Sequence, residues 1–322
     1  MARSSINPLT IGVSHRPGVS PADRLFRATV FTMALSVLVI TGIIAYELYR
    51  NSRLPIEKFG GAFLWSTTWD PVAEQFGALP FLYGTLVSSA LSLLIAVPVG
   101  LGVAIFLSEL APLWLSGPMA FLVELLAAIP SVIYGLVGIF VLVPWVRNFL
   151  EPALSGTLGF LPLFRGAPYG VGMLTAGLLL AMMVVPFIVS VSREILMAVP
   201  HSQREAVLSL GATRWEMVRV AVLPYARSGI MGSVFLALAR ALGETMAVTM
   251  VIGNRPEIRL SLFEPGYTMA AVIANEFTEA TSDLYVQSLI EIGLVLFAVT
   301  ILVNALARLL IYSVFTKVEV RE

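Results

Sequence analysis

The sequence contains no cysteine, which excludes disulfides, thiolate metal sites and a cysteine nucleophile. Its only histidines, His15 and His201, stand far apart and read as solvated side chains rather than a metal site. Its only lysines, Lys58 and Lys317, follow Glu57 and Thr316. A phosphate-cradling loop needs G-x-x-x-x-G-K-[S/T], so the chain is not itself a P-loop ATPase. Charge is scarce as well: 12% of residues are charged, against about 25% in soluble domains. The formal net charge is zero, which leaves no electrostatic footprint for nucleic acid. No Ser/His/Asp grouping marks an intramembrane hydrolase. No kinase, receiver or phosphohistidine signature is present, and there is no internal repeat.

Apolar residues fill the space left by charge. They make up 58% of the chain, which points to an all-α polytopic membrane protein. Six segments reach the roughly 20 residues needed to span a bilayer, near 28–48, 81–107, 119–146, 169–192, 226–252 and 284–315. Pro130 and Pro186 predict kinks in the third and fourth. The first apolar run begins near Ala28 and no small-residue cleavage site follows it, so a cleaved leader is not expected. Residues 1–19 are expected to be disordered. Ser20-Pro21-Ala22-Asp23 is a helix start, and Leu25 and Phe26 between Arg24 and Arg27 suggest a short interfacial helix. Twelve Arg and Lys residues fall on the side of both termini and seven on the other, with Arg240 inside a span. That bias predicts cytoplasmic termini and a cytoplasmic connection at 200–224. On the outer side, Trp65 and Trp69 suit an interface belt, residues 147–168 form a Pro/Gly/Leu-rich connection, and Thr268 to Ala280 can form a short helix. These outer loops either cover span ends or contact an external delivery protein.

The connection Pro200 to Pro224 is the most polar long link between apolar segments. Ser202 and Glu205 have capping-box spacing, which predicts a helix from Gln203. Gly211 sits where a glycine ends a helix in the left-handed conformation. Thr213 and Glu216 form a second capping box, so a further helix starts at Arg214. The first of these helices has little apolar surface of its own and suits docking into a partner's groove.

Within the spans, Thr85, Ser89, Ser92, Ala96 and Gly100 recur at helical spacing, as do Glu124, Ala128, Ser131, Gly135 and Gly138. Such rows serve either close helix packing or a narrow polar path. Four ionisable residues lie in or near apolar spans: Glu124, Arg240, Glu244 and Glu291. They normally face a bundle interior or a water-filled path. Glu124 lies near the inner end of its span, and Glu291 pairs by spacing with Gln287. Arg240 and Glu244 stand four apart, on one face of the fifth span. They are either a static salt bridge or a transient anion site. In the second case the planar guanidinium matches phosphate oxygens, and the carboxylate keeps binding weak enough for release.

Glu205, Ala206, Gly211, Leu223 and Pro224 match the E-A-A-x3-G-x9-I-x-L-P loop of ABC-importer permeases, with Val207 and Ala221 departing from it. The runs Arg240-Ala-Leu-Gly-Glu244-Thr-Met-Ala-Val248 and Val251-Ile-Gly-Asn254 narrow the resemblance. So do Glu124-Leu-Leu-Ala-Ala-Ile-Pro-Ser131, Leu223-Pro-Tyr-Ala-Arg-Ser-Gly229 and Ile273-Ala-Asn-Glu-Phe277. Over about residues 80 to 316 the chain resembles the inner-membrane permeases of phosphate-specific ABC importers, the PstC kind. That resemblance implies a type I ABC importer permease fold in the bacterial inner membrane. Its implied divisions are a cytoplasmic tail 1–27, a first span with a periplasmic loop 28–80, a transmembrane domain 81–316 with its coupling loop 200–224, and a cytoplasmic tail 317–322. It assigns ATPase coupling to Glu205, Ala206 and Gly211 and phosphate movement to Arg240 and Glu244. Glu124, Ser131 and Glu291 are possible path lining. The implied partners are a second permease (PstA kind), an ATP-binding subunit dimer (PstB kind) and a periplasmic phosphate-binding protein (PstS kind). This chain needs no cofactor, since ATP and Mg are bound by the partner ATPase. A permease for sulfate or molybdate, an ATP-independent channel or transporter, and a sensor scaffold acting through partners are the competing readings.

Overall fold

The computed structural model describes the backbone of residues 21–319 and the side chains of residues 21–309. The expected disordered segment 1–19 and the end of the carboxyl tail lie outside them. Among the described residues every regular element is helical, with isolated bridges only at Asp70–Gln75 and Gly253–Gly266. Six of these helices are long and apolar enough to cross a membrane.

The chain divides into two units, Met1–Glu47 and Leu48–Glu322. Helix α1 (Pro21–Arg50) makes up the described part of the first and starts at Pro21 with Asp23 in its first turn. Asp23 complements the positive end of the helix dipole. The helix continues unbroken past Arg27, so the expected separate interfacial helix is instead the first turns of one 30-residue rod. Its threonine hydroxyls are satisfied within the helix. Thr29, Thr32 and Thr41 donate to the carbonyls four residues back at 2.8–2.9 Å, which suits an exposed, apolar surface in lipid.

In the second unit, short helices α2 (Arg53–Phe59) and α3 (Ala62–Trp65) fill the first long connection. Helix α4 (Leu79–Leu110) ends in a π-turn over Phe106–Leu110. The expected third span, 119–146, is two helices, α5 (Leu113–Ala128) and α6 (Ser131–Leu158). Ile129 between them has ψ 129°, because a residue before proline is driven out of the helical region. α6 also runs through the first half of the expected 147–168 connection. Pro186, by contrast, stays inside α7 (Met173–Met197). α8 (His201–Ser209) and α9 (Arg214–Gly243) follow, then α10 (Met246–Val251), α11 (Met269–Glu276) and α12 (Asp283–Glu319). α11 is the short helix expected within 268–280.

Helix α7 is buried along most of its length and organises the bundle. It packs against the small-residue row of α4. A Cβ on Gly100 would stand 2.9 Å from Ile188, and one on Gly177 would stand 2.5 Å from Leu91. Lipid supplies no hydrophobic force between helices, so close van der Waals approach through small residues holds such a pair together. Thr85, Ser88, Ser89 and Ser92 are all buried there. Thr85 and Ser88 donate to their own helix at 2.8 and 2.7 Å. The α4 row is therefore a packing seam.

At the far end of α4, an aromatic cluster knits the connections together. Trp69 lies edge-on to Phe76 and Phe81, with centroids 4.8 and 4.9 Å away. Its indole N–H donates to Glu276 Oε2 at 2.8 Å, and the Tyr285 hydroxyl donates to the same oxygen at 2.6 Å. Trp69 is thus part of a packed cluster, whereas Trp65 is 75% exposed. Burial pushes the neighbouring Tyr267 phenol above its usual range, and Asn275 donates to its oxygen at 3.0 Å.

Candidate functional site

The Arg240 region is built from two interrupted helices. α9 does not continue through residue 252 as the apolar pattern predicts; it stops at Gly243, and Glu244 is extended with φ −68° and ψ 128°. α10 restarts at Met246. The i,i+4 relation of Arg240 to Glu244 therefore fails, and among the described residues no ion pair joins them. Glu244 turns to the new helix, where its Oε1 accepts from Ala247 N at 3.4 Å. That contact is long and weak. Arg240 occupies the last turn of α9, where a cation is favoured by the helix dipole. Its Nε is buried with no hydrogen-bond partner among the described residues.

The second interruption lies beside the first. α6 and α10 pack so closely that a Cβ on Gly135 would stand 3.2 Å from the Cα of Ala247 and 2.4 Å from Met250 Sδ. Tyr134, one residue earlier, is buried, within electrostatic reach of Arg240, and donates to the Leu126 carbonyl at the end of α5 with a 2.8 Å bond. Two chain breaks and a buried guanidinium edge are thus gathered in one place. Half-helix ends of this kind are how membrane proteins present backbone poles to an ion.

The other sequence candidates separate. Glu124 is exposed on α5, and Ser131 opens α6 beyond the break, so the row from Glu124 to Gly138 does not share one helical face. Gly135 and Gly138 of that row are packing contacts, the latter against Val251 and Leu179. Glu291 is buried and its Oε2 has no partner among the described residues. It does not pair with Gln287, whose side-chain oxygen accepts from Leu54 N at 3.0 Å.

The loop between α7 and α9 keeps most of its expected form. α8 starts at His201, directly after Pro200 as N-cap, with no side-chain cap. The Ser202–Glu205 box is therefore not formed, because both residues already lie inside the helix. The Thr213–Glu216 box is complete in both directions. Gly211 has φ +86° and open space around its Cβ position, so its backbone angle rather than crowding demands glycine. Glu205 and Ala206 are exposed, as are Leu208, Leu210 and Trp215. Val207 points the other way, onto a buried cluster of Leu196, Val199, Met217, Val218 and Val222.

Sequence reasoning missed one feature of this loop. Arg204 forms a two-point ion pair with Glu109 at the end of α4, Nη2 to Oε1 at 2.7 Å and Nε to Oε2 at 3.2 Å. The two side chains are 12% and 5% exposed. The same guanidinium donates to the carbonyls of Leu196, at 2.8 Å, and Val199. The partners are 95 residues apart, and no local pattern connects them.

Interrupted spanning helices around a buried arginine, with a polar loop projecting from the bundle, define a multi-pass membrane permease. A family model described as the binding-protein-dependent transport system inner membrane component matches residues 96–316. The phosphate transport system permease protein PstC of Mesorhizobium japonicum is 49% identical over 296 residues, covering 91% of this chain and 90% of the relative. That of Haemophilus influenzae is 48% identical over 293 residues, covering 90% and 93%. Among solved structures, a bacterial ABC transporter involved in the import of the acidic polysaccharide alginate shares the fold, with a TM-score of 0.58 at 17% identity and coverage of 88% and 98%. The chain belongs to the PstC family of phosphate transport system permease proteins. It is a multi-pass inner-membrane transport component rather than an enzyme.

Proposed function

We propose that this chain forms one half of the path by which an ATP-driven importer moves inorganic phosphate across the inner membrane. The observation that carries the reading is Arg240, whose buried Nε has no acceptor among the described residues and lies beside two helix breaks. A guanidinium offers a planar fork to phosphate oxygens, and an anion is the complement it lacks. Glu244, held only by a 3.4 Å contact, is free to turn toward Arg240 as the ion leaves, which keeps the site from holding phosphate too tightly. Ser131 at the α5–α6 break and the buried Glu291 line the path. Glu124, exposed on α5, joins it where the second permease covers that helix.

Both termini and the α8 loop face the cytoplasm, by the Arg/Lys bias. Glu205, Ala206 and the exposed Leu208 and Leu210 dock into the ATP-binding subunit, and Gly211 sets the turn that presents them. A second permease of the PstA kind completes the path, a PstB-kind dimer binds ATP and Mg, and a PstS-kind periplasmic protein delivers phosphate. The permease itself uses no cofactor. The test is uptake of labelled phosphate in cells lacking other phosphate carriers. Uptake that survives an ATPase-dead partner contradicts the ATP-driven reading. Uptake abolished by equimolar sulfate or molybdate contradicts the phosphate reading.

A further inference from the structure

α8 is tied to the membrane helices at few points. Val207 rests on the apolar cluster beneath it, and Arg204 supplies the polar tie. One guanidinium holds Glu109 on α4 and, at the same time, the Leu196 carbonyl in the last turn of α7 and the Val199 carbonyl just beyond it. The π-turn over Phe106–Leu110 carries Glu109, and Ala104 and Ile105 just before it belong to the same buried cluster as Leu196 and Val199. The pair therefore lies over apolar packing, where water competes poorly for either charge. From this end, α4 and α7 run to a second junction. There Ala96, Ala181 and Ile188 pack on Ala237 and Ala241 of α9, one three residues before Arg240 and the other directly after it.

We propose that the Arg204–Glu109 pair is the strut through which displacement of α8 is delivered to α4 and α7, and through them to the Arg240 region. Arg204 and Glu109 are positioning residues in this scheme. They touch neither phosphate nor nucleotide. Three features favour a strut over a simple surface bond. The contact is two-pointed, so it resists rotation as well as separation. It joins three elements at one group. It also lies on the side of α8 opposite the exposed Glu205 and Ala206, so a push on the docking face is received by the strut. The inference rests on the reading of α8 as the ATPase-docking helix.

Two measurements on the complete transporter test it. The first replaces the strut by a removable one. The chain has no native cysteine, so Glu109→Cys with Arg204→Cys provides a unique pair for a short thiol-reactive cross-linker. Before cross-linking, phosphate imported per ATP hydrolysed should fall at least fivefold while the ATPase subunit still co-purifies. After cross-linking, the ratio should recover to within about twofold of wild type. A wild-type ratio before cross-linking, or no recovery after it, overturns the strut. The second measurement leaves the pair intact, so it does not depend on the variant folding. Spin labels at Leu110→Cys and Ser209→Cys should keep the same separation in the nucleotide-free and ATP-trapped states. A shift of several ångströms between those two labels overturns the proposal. Co-purification of the ATPase subunit with Glu205→Lys, compared with wild type, judges the docking reading separately. Equal recovery there rejects docking through α8, whereas the ratio and the label distance judge the strut.

Discussion

Arg204 and Arg240 should respond differently to neutralisation. In Arg204→Gln, Glu109, whose side chain is 5% exposed, loses a partner at 2.7 Å. Removing one member of a buried pair costs about 3–5 kcal/mol, because the remaining charge is left desolvated and uncompensated. Among the described residues Arg240 has no such partner to abandon: its Nε is buried and unbonded, and no ion pair joins it to Glu244. A charged side chain at a helix centre costs about 2.5–3.5 kcal/mol on insertion scales, and Arg240, in the last turn of α9, recovers part of that through the helix dipole. Arg240→Gln should therefore leave stability unchanged or raise it by up to about 2 kcal/mol, part of that penalty being relieved. The gap between the two variants should then be at least about 3 kcal/mol, with only Arg204→Gln destabilised. The assay is thermal or denaturant unfolding of the purified chain in one detergent, followed by tryptophan fluorescence. Destabilisation of Arg240→Gln by as much as Arg204→Gln would mean that Arg240 has a structural partner, and the free-fork argument would collapse.

Other outcomes follow from local geometry. Gly211→Val forces a β-branched residue to φ +86°, a cost of roughly 1–2 kcal/mol; the complex should assemble but lose stimulated ATP hydrolysis, as measured with the reconstituted transporter. Gly135→Leu drives a side chain into Ala247 and Met250, so uptake should fall more than tenfold while α8 still recruits the ATPase subunit in pull-downs. Ser209→Cys should be labelled by an impermeant thiol reagent only in broken cells, and Leu260→Cys, at a position 70% exposed, in intact cells as well. The reverse pattern would invert the assigned orientation.

The sequence was most readable where a local rule has no competitor. The Thr213–Glu216 box and the Gly211 turn follow from residue type alone, because a side-chain acceptor and a left-handed φ each have few suppliers. It was misread where two local signals compete. Ser202 and Glu205 have capping spacing, yet Pro200 itself takes the N-cap position and the helix starts at once behind it, which leaves Ser202 inside the first turn. The α9 break was missed for a similar reason. Hydropathy runs unbroken from 226 to 252, and only Gly243 before the poor helix former Thr245 signals a stop. The Ile129–Pro130 break was anticipated as a kink, but the proline ends α5 outright. The Arg204–Glu109 pair had no sequence signature, since packing of α4, α7 and α8 brings it together across 95 residues.

The most direct measurement is phosphate uptake by Arg240 variants in otherwise intact transporters, read beside co-purification of the partner subunits. If Arg240 meets the ion, Arg240→Gln should assemble at wild-type levels and import less than about one-hundredth of wild type, since a lost two-point charged contact is worth about 3 kcal/mol or more. Arg240→Lys keeps the charge without the fork and should retain partial uptake. Near-normal uptake by Arg240→Gln in a fully assembled complex would contradict the account and place the ion path elsewhere.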